Sequence, residues 1–420
     1  MSFISINPFT EEKFNEISFM SEDEMDLVLQ RADAAFNTWS QSPFNEREDL
    51  LLGLANSLEK NRESMALLAT REMGKPISQA IAEIDKCAWL CKFYAENGQT
   101  FLENKSYESS AEKSFISYEP LGIIYGIMPW NFPYWQFFRF AIPAIMAGNV
   151  CLLKHAPNVG LCTLEIAKVF DENQAGSVFQ NVFIDYDLSD QLIADKRVKA
   201  LSLTGSEKAG AAVASKAGKH IKKCVLELGG SDPFIVTPTA DLEQAVNHAL
   251  TSRFQNNGQS CIAAKRFIVH ASIYDDFIEA FEKGMNNKYK PGNPEEKSIN
   301  LGPLARKDLM QSLNDQIKNA ESHGAHLRYS SNDLPEKGYF SMPVIIENIH
   351  RNMRLYAEES FGPAASFYRY EKEEIMLHLA NDTAYGLGAS VWSEDTDEAL
   401  KIGKQIQSGT VSINGMVKSD

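Results

Sequence analysis

Three side chains in this sequence are of the types that can together attack a carbonyl: a cysteine, a glutamate and an asparagine. Cys261 closes the stretch FQNNGQSC, behind Gly258 and small polar residues. A thiol there is either a small buried hydrophobe or a nucleophile presented on a loop. An ordinary cysteine is only a few per cent thiolate at neutral pH, so a nucleophile needs an activating partner. No histidine follows at the spacing of a papain-like protease, which leaves Glu227, in CVLELGGSDPFIV, as the leading base. Glu227 lies in an apolar strand pattern, where burial would tune a carboxyl toward neutrality; a wet strand face is the other reading. The pair Gly229 and Gly230 behind it permits close backbone approach by a ligand. Asn131, in MPWNFPYWQ, sits between Trp130 and Phe132, with Pro129 and Pro133 fixing the backbone. A carboxamide held in such an aromatic surround can donate to an oxyanion, or the run is a structural turn.

Two further stretches have the chemistry of phosphate and ribose binding. VKALSLTGSEKAGAAVASKAG reads as a strand, a turn at Thr204, Gly205 and Ser206, and a helix from near Glu207. Such a turn offers backbone N–H groups and a helix N-terminus to an anion. With only Gly205 and Gly210 it lacks a full G-x-G-x-x-G, so an ordinary strand-to-helix turn stays open. NVCLLKHAPN places Lys154 at the end of a buried strand, where its ammonium either meets ribose hydroxyls or a phosphate or is simply solvated.

The elements that position these residues are legible from periodicity. SEDEMDLVLQRADAAFNTW carries a capping box at Ser21 and Glu24, then apolar residues at helical spacing from Met25 to Trp39. Helices are expected from about Arg47 to Met73 and from about Pro76 to Asn97, broken at GKP, with a polar hairpin or arm over 105–118. Beyond it, short β-branched runs alternate with helical stretches: GIIYGIM, NVCLLK, VFQNVFI, VKALSLT, CVLEL, PFIV, RFIVH and GTVSIN. That alternation predicts parallel sheets in an α/β architecture, with ligands in the crevice beyond the carboxyl ends of the strands.

Bulk composition narrows the function classes. The 420 residues suffice for two or three domains, and Lys+Arg 41 against Asp+Glu 56 gives a net charge of −15. That sign argues against nucleic acid or an anionic membrane as the main partner. The opening MSFISINPFTEEKF has no signal-peptide pattern and no run is long enough to span a membrane, so a cytoplasmic protein is expected. Six scattered cysteines do not form a disulfide framework. His323 and His326, and the helical pair Cys87 and Cys91, read as surface loop and core packing rather than metal ligands.

Taken in order, MPWNFP, LKHAPN, LTGSEKAG, LELGGSDPFIV, GQSCIAAKR and EESFGPAAS resemble the aldehyde dehydrogenase superfamily over essentially the whole chain, and KHAPN and ELGGSDPFIV are similar to its NAD(P)-dependent succinate semialdehyde dehydrogenase branch. The resemblance implies a Rossmann-type dinucleotide-binding domain (1–104 and 119–226), an α/β catalytic domain (227–408) and a small β oligomerisation arm (105–118 and 409–420). It implies Cys261 as nucleophile, Glu227 as general base and Asn131 as oxyanion donor. Trp130, Lys154, Pro157, Thr204, Gly205, Ser206, Leu228, Gly229, Glu359 and Phe361 would line the NAD or NADP site, with Lys154 on the adenosine ribose and Glu359 on the nicotinamide ribose. Arg139 and Trp135 would meet the substrate, Arg139 gripping a carboxylate bidentately. A second arginine found in some relatives is not matched: Gln255 stands there. Where NAD-selective relatives place a glutamate that repels a 2′-phosphate, this chain has Pro157, so NADP should be tolerated.

The implied partners are a small-molecule aldehyde and further copies of the chain, as a dimer or tetramer. Relatives continue beyond SGTVSINGMVKSD with a Gly-rich segment and a last strand, so weakened turnover is expected of these 420 residues. Two rivals stand beside this reading. A Cys/Glu thioester hydrolase would need no dinucleotide, and a shortened, inactive paralogue would bind cofactor or pair with full-length subunits.

Overall fold

The computed structural model describes residues 2–419, which divide into two compact units. The first comprises Met1–Asn7, Glu12–Glu72 and Ala80–Glu227; the second comprises Pro8–Glu11, Met73–Gln79 and Leu228–Asp420.

The first unit is built on a five-stranded parallel sheet in the order Phe179–Asn181, Val150–His155, Ile123–Met128, Val198–Thr204, Lys223–Glu227. From the central strand Ile123–Met128 the chain first winds outward to one side, through Val150–His155 and Phe179–Asn181. It then returns to fill the other side with Val198–Thr204 and Lys223–Glu227. The reversal creates a switch point at the carboxyl ends of the central strands. VCLLKH is buried at every position, as a parallel strand covered on both faces must be. One cover is the helix Glu22–Trp39. Its capping box forms as predicted: Glu24 N–H donates to Ser21 Oγ at 3.2 Å, and Ser21 N–H donates to the Glu24 carboxylate at 2.8 Å. Met25, Val28, Leu29 and Ala32 pack from it onto Ile123, Tyr125, Val150 and Leu152.

The helices expected next span Phe44–Met73 and Ile77–Phe101, and the break between them holds Gly74 at φ +78°. Lys105–Ser106 pairs antiparallel with Phe115–Ile116, giving the expected small hairpin. A second antiparallel pair, Ser2–Ile6 with Lys13–Ser18, escaped the sequence reading because KFNEIS is largely solvated and carries little apolar signal.

The second unit holds a seven-stranded sheet in the order His326–Tyr329, Val344–Glu347, Ala364–Tyr370, Ala264–His270, Asp232–Val236, Gly388–Trp392, Thr410–Ile413. All neighbours are parallel except His326–Tyr329, which runs antiparallel at one edge. Alternation sorts side chains to two cores: Phe234, Val236, Phe267, Val269 and Trp392 enter one, and Ile235, Ile268, Val344, Ile346 and Val391 the other. The strands Val344–Glu347, Ala364–Tyr370 and Gly388–Trp392 were not among the runs read from sequence; AASFYRY and GASVW open on small residues that dilute the β signal. Thr410–Ile413, grouped with the 105–118 arm in the sequence reading, forms the other edge of this sheet, with Val411 and Ile413 packed on its core. Among the described residues no helix is long and apolar enough to cross a membrane.

Candidate active site

In the first unit the candidate residues collect at the carboxyl ends of adjacent strands. Ile123–Met128 runs into the turn with Trp130 and Asn131; Val150–His155 carries Lys154 and leads to Pro157. Val198–Thr204 ends in Thr204 and passes to Gly205 and Ser206, and Lys223–Glu227 ends in Glu227. This is the edge, at the switch point, where an open parallel sheet binds its ligand.

Asn131 is 5 % exposed, and two residues that sequence reasoning missed fix the turn around it. Glu83 accepts hydrogen bonds from the Tyr134 and Trp135 N–H groups, both at 2.9 Å, where the helix Trp135–Met146 begins. Its carboxylate thus satisfies donors that a helix N-terminus leaves open. His155 bridges from the next strand: Nε2 donates to the Pro133 carbonyl at 2.8 Å and Nδ1 accepts from Ala156 N–H at 2.9 Å. One nitrogen donating and one accepting requires neutral imidazole, and burial pushes its pKa down to about 4. No local pattern marks Glu83, whereas His155 was in plain view beside Lys154.

Lys154 is buried, which removes the solvated alternative. Its ammonium lies 5.3 Å from the Tyr186 ring centre and 5.9 Å from that of Phe3. Desolvation lowers its pKa, with Asp185 pulling the other way. Pro157 is exposed on the turn that follows. Ser206 caps the helix Glu207–Lys219 by accepting from Ala209 N–H, and Gly205 N–H donates to the Glu227 carbonyl at 2.9 Å.

Glu227 departs from expectation. It ends an edge strand, its side chain is 39 % exposed, and the burial inferred from the apolar run is absent. Arg139, on the helix Trp135–Met146, stands with Nη2 3.6 Å from Glu227 Oε2, so the carboxylate clamp and the base implied by resemblance are neighbours. Trp135, the other residue implied at the substrate, is 4 % exposed, with the Lys86 ammonium 4.3 Å from its ring centre.

The second unit uses the opposite ends of its strands. Cys261 precedes Ala264–His270, Leu228, Gly229 and Gly230 precede Asp232–Val236, and Glu359 and Phe361 precede Ala364–Tyr370. All three strands are parallel, so these residues share the amino-end edge, and the carboxyl-end rule used in the sequence reading does not hold for this sheet. The chain reaches Cys261 through three successive left-handed residues, Asn256 (φ +55°), Asn257 (φ +59°) and Gly258 (φ +76°). Asparagine tolerates that region and glycine is needed at 258, where a Cβ would lie 2.3 Å from the Gly362 carbonyl.

Side chains lock this entry. Asn257 Nδ2 donates to the Gly74 and Pro303 carbonyls at 2.8 and 2.9 Å, and its Oδ1 accepts from Gly302 N–H at 2.7 Å. Buried Arg253 donates to the carbonyls of Gly258, Gly362 and Ala264, and burial pushes its pKa down to about 10. Cys87, Cys91, Cys151 and Cys162 are buried; Cys224, in a strand, and Cys261, on its turn, are half-buried, and of these two only Cys261 sits on a loop, as a presented nucleophile would.

Lys265, four residues on in GQSCIAAKR, has no role that the sequence pattern marks. Its ammonium donates to the carbonyls of Ser260 at 2.8 Å and Cys261 at 2.6 Å and pairs with Glu359 Oε1 at 3.0 Å. Glu359 Oε1 also accepts from Gly230 N–H at 3.2 Å. The double glycine is therefore required by the protein's own packing: a Cβ on Gly229 would meet Glu359 Oε2 at 2.6 Å, and one on Gly230 would meet the Cys261 carbonyl at 2.6 Å. Beside them Asp232, 2 % exposed, accepts from Gly388 N–H at 3.1 Å. Burial pushes its pKa up to about 6 against the pull of Lys265.

The model of the aldehyde dehydrogenase family matches residues 1–420. The chain belongs to the aldehyde dehydrogenase family. It is 44 % identical over 423 positions to a probable succinate-semialdehyde dehydrogenase [NADP(+)] of Synechocystis sp., covering 100 % of this chain and 92 % of that protein. It is 42 % identical, with the same coverage, to succinate-semialdehyde dehydrogenase [NADP(+)] 1 of Mycobacterium tuberculosis. Among solved structures it resembles succinic semialdehyde dehydrogenase from Streptococcus pyogenes in complex with NADP+, with TM-score 0.96 and 35 % identity over 99 % of this chain and 92 % of that one. The aldehyde dehydrogenase architecture expected from the six motifs is the one observed.

A dinucleotide of the kind aldehyde dehydrogenases use fits the chemistry of the first unit's carboxyl edge. A parallel-sheet switch point, a capped helix N-terminus at Ser206 and a desolvated ammonium at Lys154 are donors suited to pyrophosphate and ribose.

Proposed function

We propose that this chain oxidises succinate semialdehyde to succinate with NADP+, accepting NAD+ as well. The observation that carries this reading is the full-length match to relatives of that name, at 44 and 42 % identity. Arg139 on the partly exposed face of its helix supports a substrate with a carboxylate, and Pro157 supports tolerance of a 2′-phosphate.

In the proposed mechanism the Cys261 thiolate adds to the aldehyde carbon, forming the C–S bond and placing negative charge on the former carbonyl oxygen. The Asn131 carboxamide and the Cys261 N–H stabilise that oxygen, and Glu83 and His155 hold the Asn131 turn rigid while charge develops. A bound dinucleotide would supply the hydride acceptor for that carbon, and Cys261 would then hold the acyl group as a thioester. Glu227 then takes a proton from water, whose oxygen attacks the thioester; the C–S bond breaks, the acid leaves and the thiolate returns. Lys154, Thr204, Gly205 and Ser206 would hold the adenosine ribose and pyrophosphate, with Trp130, Pro157, Leu228 and Gly229 lining the site. Glu359 would hold the nicotinamide ribose beside Phe361, orienting the reactive carbon.

We place the protein in the cytoplasm as a homo-oligomer, dimer or tetramer. Six free thiols support a reducing compartment, and Tyr107, Phe115, Ile116 and Tyr118, all exposed in or beside the 105–118 hairpin, support its use as a subunit contact. Steady-state kinetics with succinate semialdehyde, butanal and both dinucleotides tests the reading. Preference for succinate semialdehyde with NADP+ is expected; equal use of butanal would remove the carboxylate assignment, and no dinucleotide reduction with any aldehyde would remove the activity.

A further inference from the structure

The motifs assign Lys265 no task, yet its environment is among the most specific in the second unit. Its side chain is 2 % exposed, and an ammonium has three donors; here they meet three acceptors, the carbonyls of Ser260 and Cys261 and Glu359 Oε1, at 2.8, 2.6 and 3.0 Å. An enclosed charge is costly where an apolar side chain of similar length would fill the space, so packing alone does not account for a lysine. On the other side of the ion pair, Glu359 Oε1 is engaged twice, by Lys265 and by Gly230 N–H, while Oε2 faces Gly229.

We propose that Lys265 is a positioning residue that ties the backbone at the nucleophile Cys261 to Glu359, so that cofactor capture by Glu359 and placement of the Cys261 sulfur are coupled. This rests on the reading given under Proposed function and deepens it. With Oε1 held by Lys265, the Glu359 carboxylate is oriented before the cofactor arrives, and Oε2 is the oxygen available to ribose hydroxyls. A pull on Glu359 is transmitted through one ammonium to the two carbonyls that flank the Cys261 Cα. The same positive charge favours thiolate over thiol on the turn it holds. Asp232 also acts electrostatically on Lys265 and Glu359, and Arg253 on Glu359; both residues are retained in the variants below.

Two measurements test the proposal. The first needs neither cofactor nor aldehyde: the pH profile of Cys261 alkylation by iodoacetamide, read by peptide mass spectrometry. Lys265→Met should move its midpoint up, and Glu359→Gln, which strips the ammonium of its counter-charge, should move it down, each by roughly half a unit or more. The second is the KM for NADP+. Each single variant should raise it about tenfold with a smaller loss in kcat, and the double variant should be no worse than the poorer single, because both break one linkage. Unmoved alkylation midpoints, or additive KM effects, would overturn the proposal by reducing Lys265 to a structural cation. If Lys265→Met does not fold, Lys265→Gln, which keeps a hydrogen-bond donor but removes the charge, takes its place: a raised midpoint supports the linkage and an unmoved one overturns it. A wild-type chain that reduces no dinucleotide would defeat the functional reading, and the alkylation profiles would still judge the Lys265 linkage.

Discussion

The two units place their candidate residues at opposite ends of their sheets. The first gathers Asn131, Lys154, Gly205 and Glu227 beyond carboxyl ends, where loops are short and Arg139 and Glu227 stay partly exposed with 3.6 Å between them. The second gathers Cys261, Gly229 and Glu359 at amino ends, where Arg253, Asn257 and Lys265 pin the backbone that enters and leaves Cys261. The contrast separates two requirements. The proposed nucleophile must meet a carbonyl at one angle and is held by buried hydrogen bonds. The proposed base, which in this mechanism serves only after the hydride has left, gains from a looser, wetter seat, since an exposed ion pair at such a distance is worth no more than about 1 kcal/mol.

The largest expected effects set the two ends against each other directly. Cys261→Ser should abolish both the first round of dinucleotide reduction and turnover. Glu227→Gln should keep a stoichiometric burst while steady-state kcat falls by roughly 10²–10⁴. Rapid-mixing absorbance of reduced dinucleotide distinguishes them, and a missing burst in Glu227→Gln would mean that the glutamate acts before hydride leaves.

Arg139→Ala should raise the KM for succinate semialdehyde by roughly 10- to 100-fold while leaving butanal within about threefold. Equal effects on the two aldehydes would make Arg139 a partner of Glu227 rather than of the substrate.

Rigidity can be compared by adding one methyl group to each unit. Gly258→Ala forces a left-handed residue and a Cβ 2.3 Å from the Gly362 carbonyl, and should cost about 2 kcal/mol or more in urea unfolding. Gly205→Ala meets nothing nearer than 3.7 Å and should change stability by no more than about 0.5 kcal/mol. Comparable losses at both positions would erase the contrast.

A pH-dependent effect is expected at Asp232. Its native carboxyl titrates at about 6, above the 3.8 of an unperturbed aspartate, so the folded state holds the proton more tightly and stability is lost as pH rises through about 6. Asp232→Asn should therefore be more stable than wild type at pH 8, by roughly 1–3 kcal/mol, and the advantage should vanish by pH 4. Thermal melts across that range check the sign.

What could be read from the sequence was what local pattern encodes. The capping box at Ser21, the runs buried on both faces, the helix break at Gly74 and the glycine ahead of Cys261 each act within a few residues. What escaped depends on contacts distant in the chain. Glu83 meets the Asn131 turn across 51 positions, and Lys265 acquires its meaning only from Glu359. Glu227 looked buried because LEL is apolar, and only the strand order shows that its strand has one neighbour. The double glycine was read correctly as a place of close approach, but what approaches is Glu359 and the Cys261 carbonyl. The amino-end site was invisible to a rule about carboxyl ends, since periodicity shows where strands lie and not which end carries the chemistry.

The central claim is that Cys261 becomes acylated and that Glu227 releases the acyl group. It is tested most directly by mixing Glu227→Gln with succinate semialdehyde and NADP+, quenching in acid and mapping the adduct by mass spectrometry. The account predicts one succinyl group per chain, on the peptide containing Cys261, appearing with the burst of reduced dinucleotide. Reduction of the dinucleotide with Cys261 unmodified, or with the acyl group on another residue, would contradict it.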